Sequence, residues 1–308
     1  SIASGGNYNT VVGDEAGTAL TTGDANVAVG FEALKTEDAH GNNTAVGYRA
    51  LKTLNAGAEG NNVAVGYNAG ANITTGISNV ILGATAGDAL TVGDRNTALG
   101  DGALSAETVS DRSTAVGYRS LSAQNTGSNA DVYNTALGYF TGGNVTSGIK
   151  NTLIGGSAGS ALTDADFNVA VGYIALAQDT KGNKSTAIGY SALYNQNFTS
   201  STDSRNTAVG YEAGLSITTA TSNVLVGSLC GDALTVGNSN VAVGDAALTT
   251  DTQGDRNVAI GANALATQNF TSSTDSYNTA VGYSAGTSIT TGIRNTIMGS
   301  EAGDALTD

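Results

Sequence analysis

An all-β chain wound as a β-solenoid, or β-roll, is the fold this sequence predicts, and three features carry that expectation. The first is one phrase repeated from end to end: Asn or Ser, then Thr or Val, any residue, an aliphatic residue and Gly, as in Asn206, Thr207, Ala208, Val209 and Gly210. Seventeen copies begin between Asn9 and Asn295. The second is the spacing. Successive copies lie 17 residues apart except for one step of 19, from Asn43, and three of 21, from Ser113, Ser185 and Asn257. Asn62, Asn134, Asn206 and Asn278 are separated by 72 residues, so four coils make one module. A period this regular marks units that each contact mainly their neighbours. The third is composition: 43 glycines supply turns, and the absence of proline removes nothing from a hydrogen-bonded ladder.

The elements follow from the phrase, whose residues are numbered here from the Asn or Ser as position one. Positions two to four alternate with period two and carry β-branched residues, which predicts a short strand with two different faces. Position five is Gly in every copy, suiting a corner that needs positive φ or close backbone approach. Position one is Asn in fifteen of seventeen copies, with Ser113 and Ser185 the exceptions, and predicts an amide ladder from coil to coil. Position four is aliphatic throughout, from Val12 to Met298, so it and position two are expected to face the interior of the coil, with position three on the other face. The remainder of each unit is expected to form a second strand with one large apolar anchor. That anchor is Leu at position nine in the third and fourth coils of a module (Leu104, Leu121), and comes three residues later in the first and second (Ile73, Leu90), where position nine is Gly.

Residues 1-308 therefore read as a single elongated repeat domain of about 17 coils of 17-21 residues, a rod of roughly 80 Å at a ~4.8 Å rise per coil. Because Ser1 begins inside the pattern, the chain reads as a fragment of a longer fibrous protein. The core is expected to be thin and built of small side chains.

Position three supplies the expectation of a homotrimer, the chain being intertwined or packed with two copies of itself. It is Ala in most coils but large in the second of each module: Val11, Ile81, Leu153, Leu225 and Ile297. These five are the candidate subunit interface, because one thin roll has no second layer to meet an outward face.

The phrases Asn-Val-Ala-Val-Gly at 26 to 30, 62 to 66 and 240 to 244, and Ser-Thr-Ala-Ile-Gly-Tyr-Ser-Ala-Leu at 185 to 193, resemble the head repeats of YadA-type trimeric adhesins. They are more similar still to the Asn-Thr-Ala-Val-Gly-Tyr-x-Ala-Leu arrays of phage tail fibres. The resemblance spans essentially the whole chain and implies a trimeric β-roll serving as a structural shaft or adhesive fibre segment, extracellular, at the cell surface or on a virion. The adhesin head repeats are shorter than 17 residues, and their stalk, anchor and chaperone domains have no counterpart in these residues.

Chemistry is sparse, and no catalytic residue, metal ligand or cofactor is assigned. The net charge of -14 disfavours nucleic acid, which needs a concentrated basic surface. No apolar run approaches membrane-spanning length, so no membrane insertion is expected. Seven basic residues, among them Arg112, Lys184 and Arg256, immediately precede position one and would form a stripe, read as a charge ladder between coils or subunits rather than an anion groove. His40 reads as a solvated loop residue, Cys230 as a small buried one in a slot that is Ala elsewhere, and Asp88, Asp232 and Asp304 as turn residues.

The alternative to a purely structural role is a glycan- or receptor-binding module, with a calcium-dependent β-roll or ice-binding solenoid further off. Candidate contacts for a cell-surface glycan or receptor are the tyrosines that follow the corner glycine, Tyr67, Tyr139, Tyr211 and Tyr283, which would stack at the coil spacing. Phe198 and Phe270 join them, in long loops that either dock back on the coil or present an apolar tip. Ice binding is disfavoured by the inward placement expected for the Thr at position two.

Overall fold

The computed structural model describes residues 5–308 and is all-β, seventeen parallel coils of a β-solenoid. Packing divides the chain into two compact units, one reaching to Asn151 and the other spanning Thr152–Asp308. The first holds eight three-residue strands: Thr10–Val12, Val27–Val29, Thr44–Val46, Val63–Val65, Val80–Leu82, Thr97–Leu99, Thr114–Val116 and Thr135–Leu137. Each pairs in parallel and in register with the next, so that Ala45 lies beside Ala64 and Ala64 beside Ile81. The second unit holds nine, from Thr152–Ile154 to Thr296–Met298, paired in the same way.

The expected second strand is replaced by turns. Among the described residues, short parallel pairs join each long coil of the second unit to the coil before it, Gly182–Asn183 with Thr202–Asp203 and Gly254–Asp255 with Thr274–Asp275. The reason lies in backbone sign. The corner glycines all sit at φ between 124° and 145°, and a Cβ on Gly210 would stand 2.2 Å from the carbonyl oxygen of Gly227. Three further positions in each coil are left-handed: seven, nine and the residue before position one. Position seven is occupied by Arg49 (φ 57°), Thr85 (51°) and Glu212 (53°) among others, and position nine by Leu51 (48°) or Gly70 (56°). Such conformations cost L-residues energy and cannot propagate as strand. They are held by bonds from coil to coil: Arg49 N–H donates to Phe31 O at 2.9 Å and Ser78 N–H to Gly60 O at 2.8 Å.

The faces of the strand are the reverse of the expectation. Position three points into the coil, where Ala28, Ala45, Ile81, Leu153 and Leu225 are fully buried. Positions two and four point outward and are half-buried or exposed. The large position-three residues are therefore core. Where position three is Ile81, Leu153 or Leu225, position nine of the same coil is Gly, and a Cβ on Gly159 would meet Leu153 Cδ2 at 2.8 Å. Where position three is Ala98 or Ala115, position nine is the buried Leu104 or Leu121. The alternation of size at position three therefore balances space inside each coil rather than against another chain. The remaining anchors, including Ile73, Leu90, Leu162 and Ile217, are buried as expected.

The amide ladder is present. Asn223 Nδ2 donates to Gly237 O at 2.9 Å, its Oδ1 accepts the N–H of Asn240 at 2.9 Å, and Asn240 repeats both bonds one coil on. A buried turn thus finds partners for its backbone without a second sheet. The exceptions at Ser113 and Ser185 open the long coils. There the shorter side chain is met by a buried glutamine: Gln196 Nε2 donates to Ser185 Oγ at 2.8 Å and to Asp179 Oδ2 at 2.5 Å, while its Oε1 accepts Asn206 Nδ2 at 2.8 Å. Gln124 makes the same junction with Ser113, Glu107 and Asn134.

Candidate functional site

Three surfaces hold the residues singled out from the sequence. The first is the strand face. Position two is Thr in ten coils and Val in seven, and position four is aliphatic in all. Because the strands within each unit pair in register, these side chains form two columns in each. The exposed members include Val80, Leu82, Leu99, Leu137, Ile188, Val224 and Ile260. The five residues expected at a subunit boundary are not part of it: Ile81, Leu153 and Leu225 are buried, Ile297 is 7% exposed, and Val11 is partly covered. The Thr residues expected to face inward lie outward.

The second surface is the corner after the glycine. Phe31, Tyr48 and Tyr67 stack with centroids 5.3 and 5.2 Å apart, Tyr118 and Tyr139 at 5.4 Å, and Tyr173, Tyr190 and Tyr211 at 6.0 and 5.2 Å. Coils stack near 4.8 Å, which brings consecutive rings to stacking distance with no special geometry. Arg49 and Arg119 lie over the rings of Tyr48 and Tyr118, 4.9 and 5.4 Å from their centroids. Ladder-end rings are the more open ones: Tyr67 is 55% exposed against 37% for Tyr48, and Tyr211 52% against 44% for Tyr190. Tyr139 and Tyr283 are exposed as well.

The third is the set of long loops. Phe198 and Phe270 are each 6% exposed, so they dock on the coil and present no apolar tip for a receptor. Asp179 holds the first loop down by accepting the N–H groups of Phe198 and Gly182 at 3.1 and 3.0 Å, and Asp251 does the same for Phe270 and Gly254. Burial pushes both carboxyls above their ordinary range. The buried acid beneath each long loop, like the glutamine it meets, went unread in the sequence, although Glu107, Asp179 and Asp251 recur at the module spacing of 72.

The basic stripe is a charge ladder between coils. Arg112 pairs with Asp131, Lys184 with Asp203 at 2.6 Å and Arg256 with Asp275, one pair for each long loop. Near the start, Glu32 binds Lys35, Arg49 and Lys52, and the hydrogen bond from Lys35 leads in holding its carboxyl down at about 2.

Reactive chemistry is thinly provided. His40 lies near Glu37 and Asp38, but both oxygens of the buried Glu37 already accept backbone N–H groups, from His40 at 3.0 Å and Ala56 at 3.1 Å. Cys230 is buried with its thiol pushed up to about 12 by desolvation, unsuited to thiolate chemistry. Asp232 accepts a hydrogen bond from Thr249 on the next coil, as a turn residue would. Among the described residues no helix is long and apolar enough to cross a membrane. The sequence matches no protein-family model and no curated protein.

Proposed function

We propose that this chain is a non-catalytic structural segment of an extracellular, cell-surface or virion fibre, assembled with copies of itself as a homotrimer. The observation that carries the reading is the strand face: in each unit, two columns of Val, Thr and aliphatic side chains on a scaffold whose turns are bonded from coil to coil. Continuous apolar stripes of this kind call for a cover, and three-fold closure removes the stripe without leaving a surface free to polymerise sideways. The repeat resemblance to trimeric adhesin heads and tail-fibre arrays supports the same assembly, with the face reassigned from position three to positions two and four.

The test is the mass in solution of the parent and of Leu82→Asp/Ile188→Asp, measured by light scattering. Both side chains are exposed, so the variant keeps its fold. The parent is expected at three times 30.4 kDa and the variant at the monomer mass. A monomeric parent, or a variant that keeps the parent's mass, overturns the trimer. A monomer that slows ice growth would instead assign the outward Thr columns to ordered water.

A further inference from the structure

The aromatic ladders are interrupted at defined places. After Tyr67 the next coil carries Ala84 at the ladder position, and the coil beyond carries Asp101. After Tyr211 come Ser228 and Asp245. In both cases a ring with one open face is followed by a step with almost no side chain and then by an exposed carboxylate. At a rise of ~4.8 Å per coil, ring and carboxylate are about 9.6 Å apart, and the step between them is one ladder place wide. The equivalent place at Gly156 is already taken. There the following coil carries Tyr173 rather than Asp, and its ring lies 3.2 Å from where a side chain on Gly156 would begin. The vacancy at Ala84 and Ser228 is thus a property of those two places and not of every coil.

We infer that the seats at Ala84 and Ser228 bind a neutral pyranose ring of a polysaccharide. The rings in these ladders stack 5.2 Å apart, and a sugar ring laying its C–H face on Tyr67 or Tyr211 takes the place of the missing ring. Its hydroxyls then point toward Asp101 or Asp245, which among the described residues stand in no ion pair and accept hydrogen bonds only. The acidic surroundings select the class of ligand. Asp101 and Asp245 are exposed beside the seats, Glu212 follows Tyr211 in the chain and the net charge is -14, so uronic acids, sulfated sugars and nucleotides are repelled. Each seat is open on one side and binds weakly. Two seats carried on one chain and multiplied by assembly make retention on a polymer much stronger than on a single sugar. The seats lie beyond the corner glycine, off the strand face, so the inference goes beyond the assembly proposed above, and only the multiplication of seats rests on that assembly.

Affinity electrophoresis tests this with three neutral probes, amylopectin, galactomannan and mixed-linkage β-glucan, beside the anionic polymer alginate. The parent is expected to be retarded by at least one neutral probe and not by alginate. Ala84→Tyr/Ser228→Tyr fills both seats with the residue that sister coils carry at that place. It should keep the melting temperature and assembly mass while weakening retardation about tenfold, or 1.4 kcal/mol. Asp101→Asn/Asp245→Asn should weaken it in the same direction. Should the filled variant melt early, Tyr67→Leu/Tyr211→Leu removes the platform from exposed positions and is expected to show the same loss. No retardation by any neutral probe, retardation by alginate alone, or retardation unchanged by filling the seats or removing the platforms overturns the inference. Light scattering of the same samples reports assembly separately, so a failed seat and a failed trimer are told apart.

Discussion

At the scale of single residues this chain is governed by the sign of φ. Each coil bends at a glycine and then visits the left-handed region three more times, largely with residues that have side chains. Leu at position nine of the third and fourth coils accepts that conformation because the same geometry delivers its side chain into the core. The residue before position one has no such compensation. Ser239 is exposed with φ 58°, and its N–H donates to Thr221 O at 3.0 Å. Ser239→Val should cost about 1–2 kcal/mol from backbone strain alone, far more than an ordinary surface change. Ser239→Gly should cost nothing. Urea unfolding of the two variants measures the difference, and equal stability would show that the left-handed positions carry no strain.

At the scale of the element the unit is a three-residue strand whose inner face holds one side chain. Position three and position nine share one volume, so a large aliphatic at position three always faces Gly and Leu at position nine always faces Ala. The first coil of a module has Ala with Gly and is filled by its neighbours: a Cβ on Gly214 would meet Leu225 Cδ1 of the next coil at 2.9 Å. Leu225→Ala should therefore lower stability by about 2–5 kcal/mol through the cavity it leaves, with the mass of the assembly unchanged. An interface residue would behave in the opposite way, shifting mass before stability, and light scattering beside denaturant titration separates the two. The long coils follow the same logic with polar groups. Each sets a buried glutamine against a buried acid, and in the two long coils of the second unit the acid also ties the loop's Phe down through its backbone N–H.

At the scale of the whole molecule the carboxylates set an unusual response to pH. Asp179 and Asp251 are raised by burial, and Asp88 and Asp232 are raised by the same cause to a lesser depth of burial. A raised carboxyl binds its proton more tightly in the folded state, so its protonation adds stability as pH falls from above the folded value toward the unfolded one of about 4. Glu32 and Asp203 are lowered, chiefly by hydrogen bonds from Lys35 and Lys184, and their contribution is lost only as pH falls below the usual carboxylate range. The melting temperature should consequently be higher at about pH 5 than at pH 7 and fall again below about pH 4. Asp179→Asn/Asp251→Asn should flatten the upper part of that profile. A melting temperature that only falls on acidification from neutral pH would sink this account.

The repeat determined the coil, the strand, the corner glycine and the amide ladder, because each rests on local chemistry that recurs at one position. Gly at every corner and Asn at nearly every start could be read without knowing where the chain goes next, and so could the buried anchors, whose spacing shifts with the Gly or Leu at position nine. Which face of the strand turns inward was not legible. Three alternating residues of Thr, Ala and Val offer an apolar side chain to both faces, and the period of two says only that the faces differ. That choice was made by the path beyond the corner: the left-handed turns bring position nine beneath position three, and only Ala, or a large residue opposite Gly, fits there. The turns themselves were hidden because Arg, Lys, Ser, Tyr and Glu occupy their left-handed positions with no composition in common. What places them there is the carbonyl of the neighbouring coil, a partner that exists only once the coils have stacked.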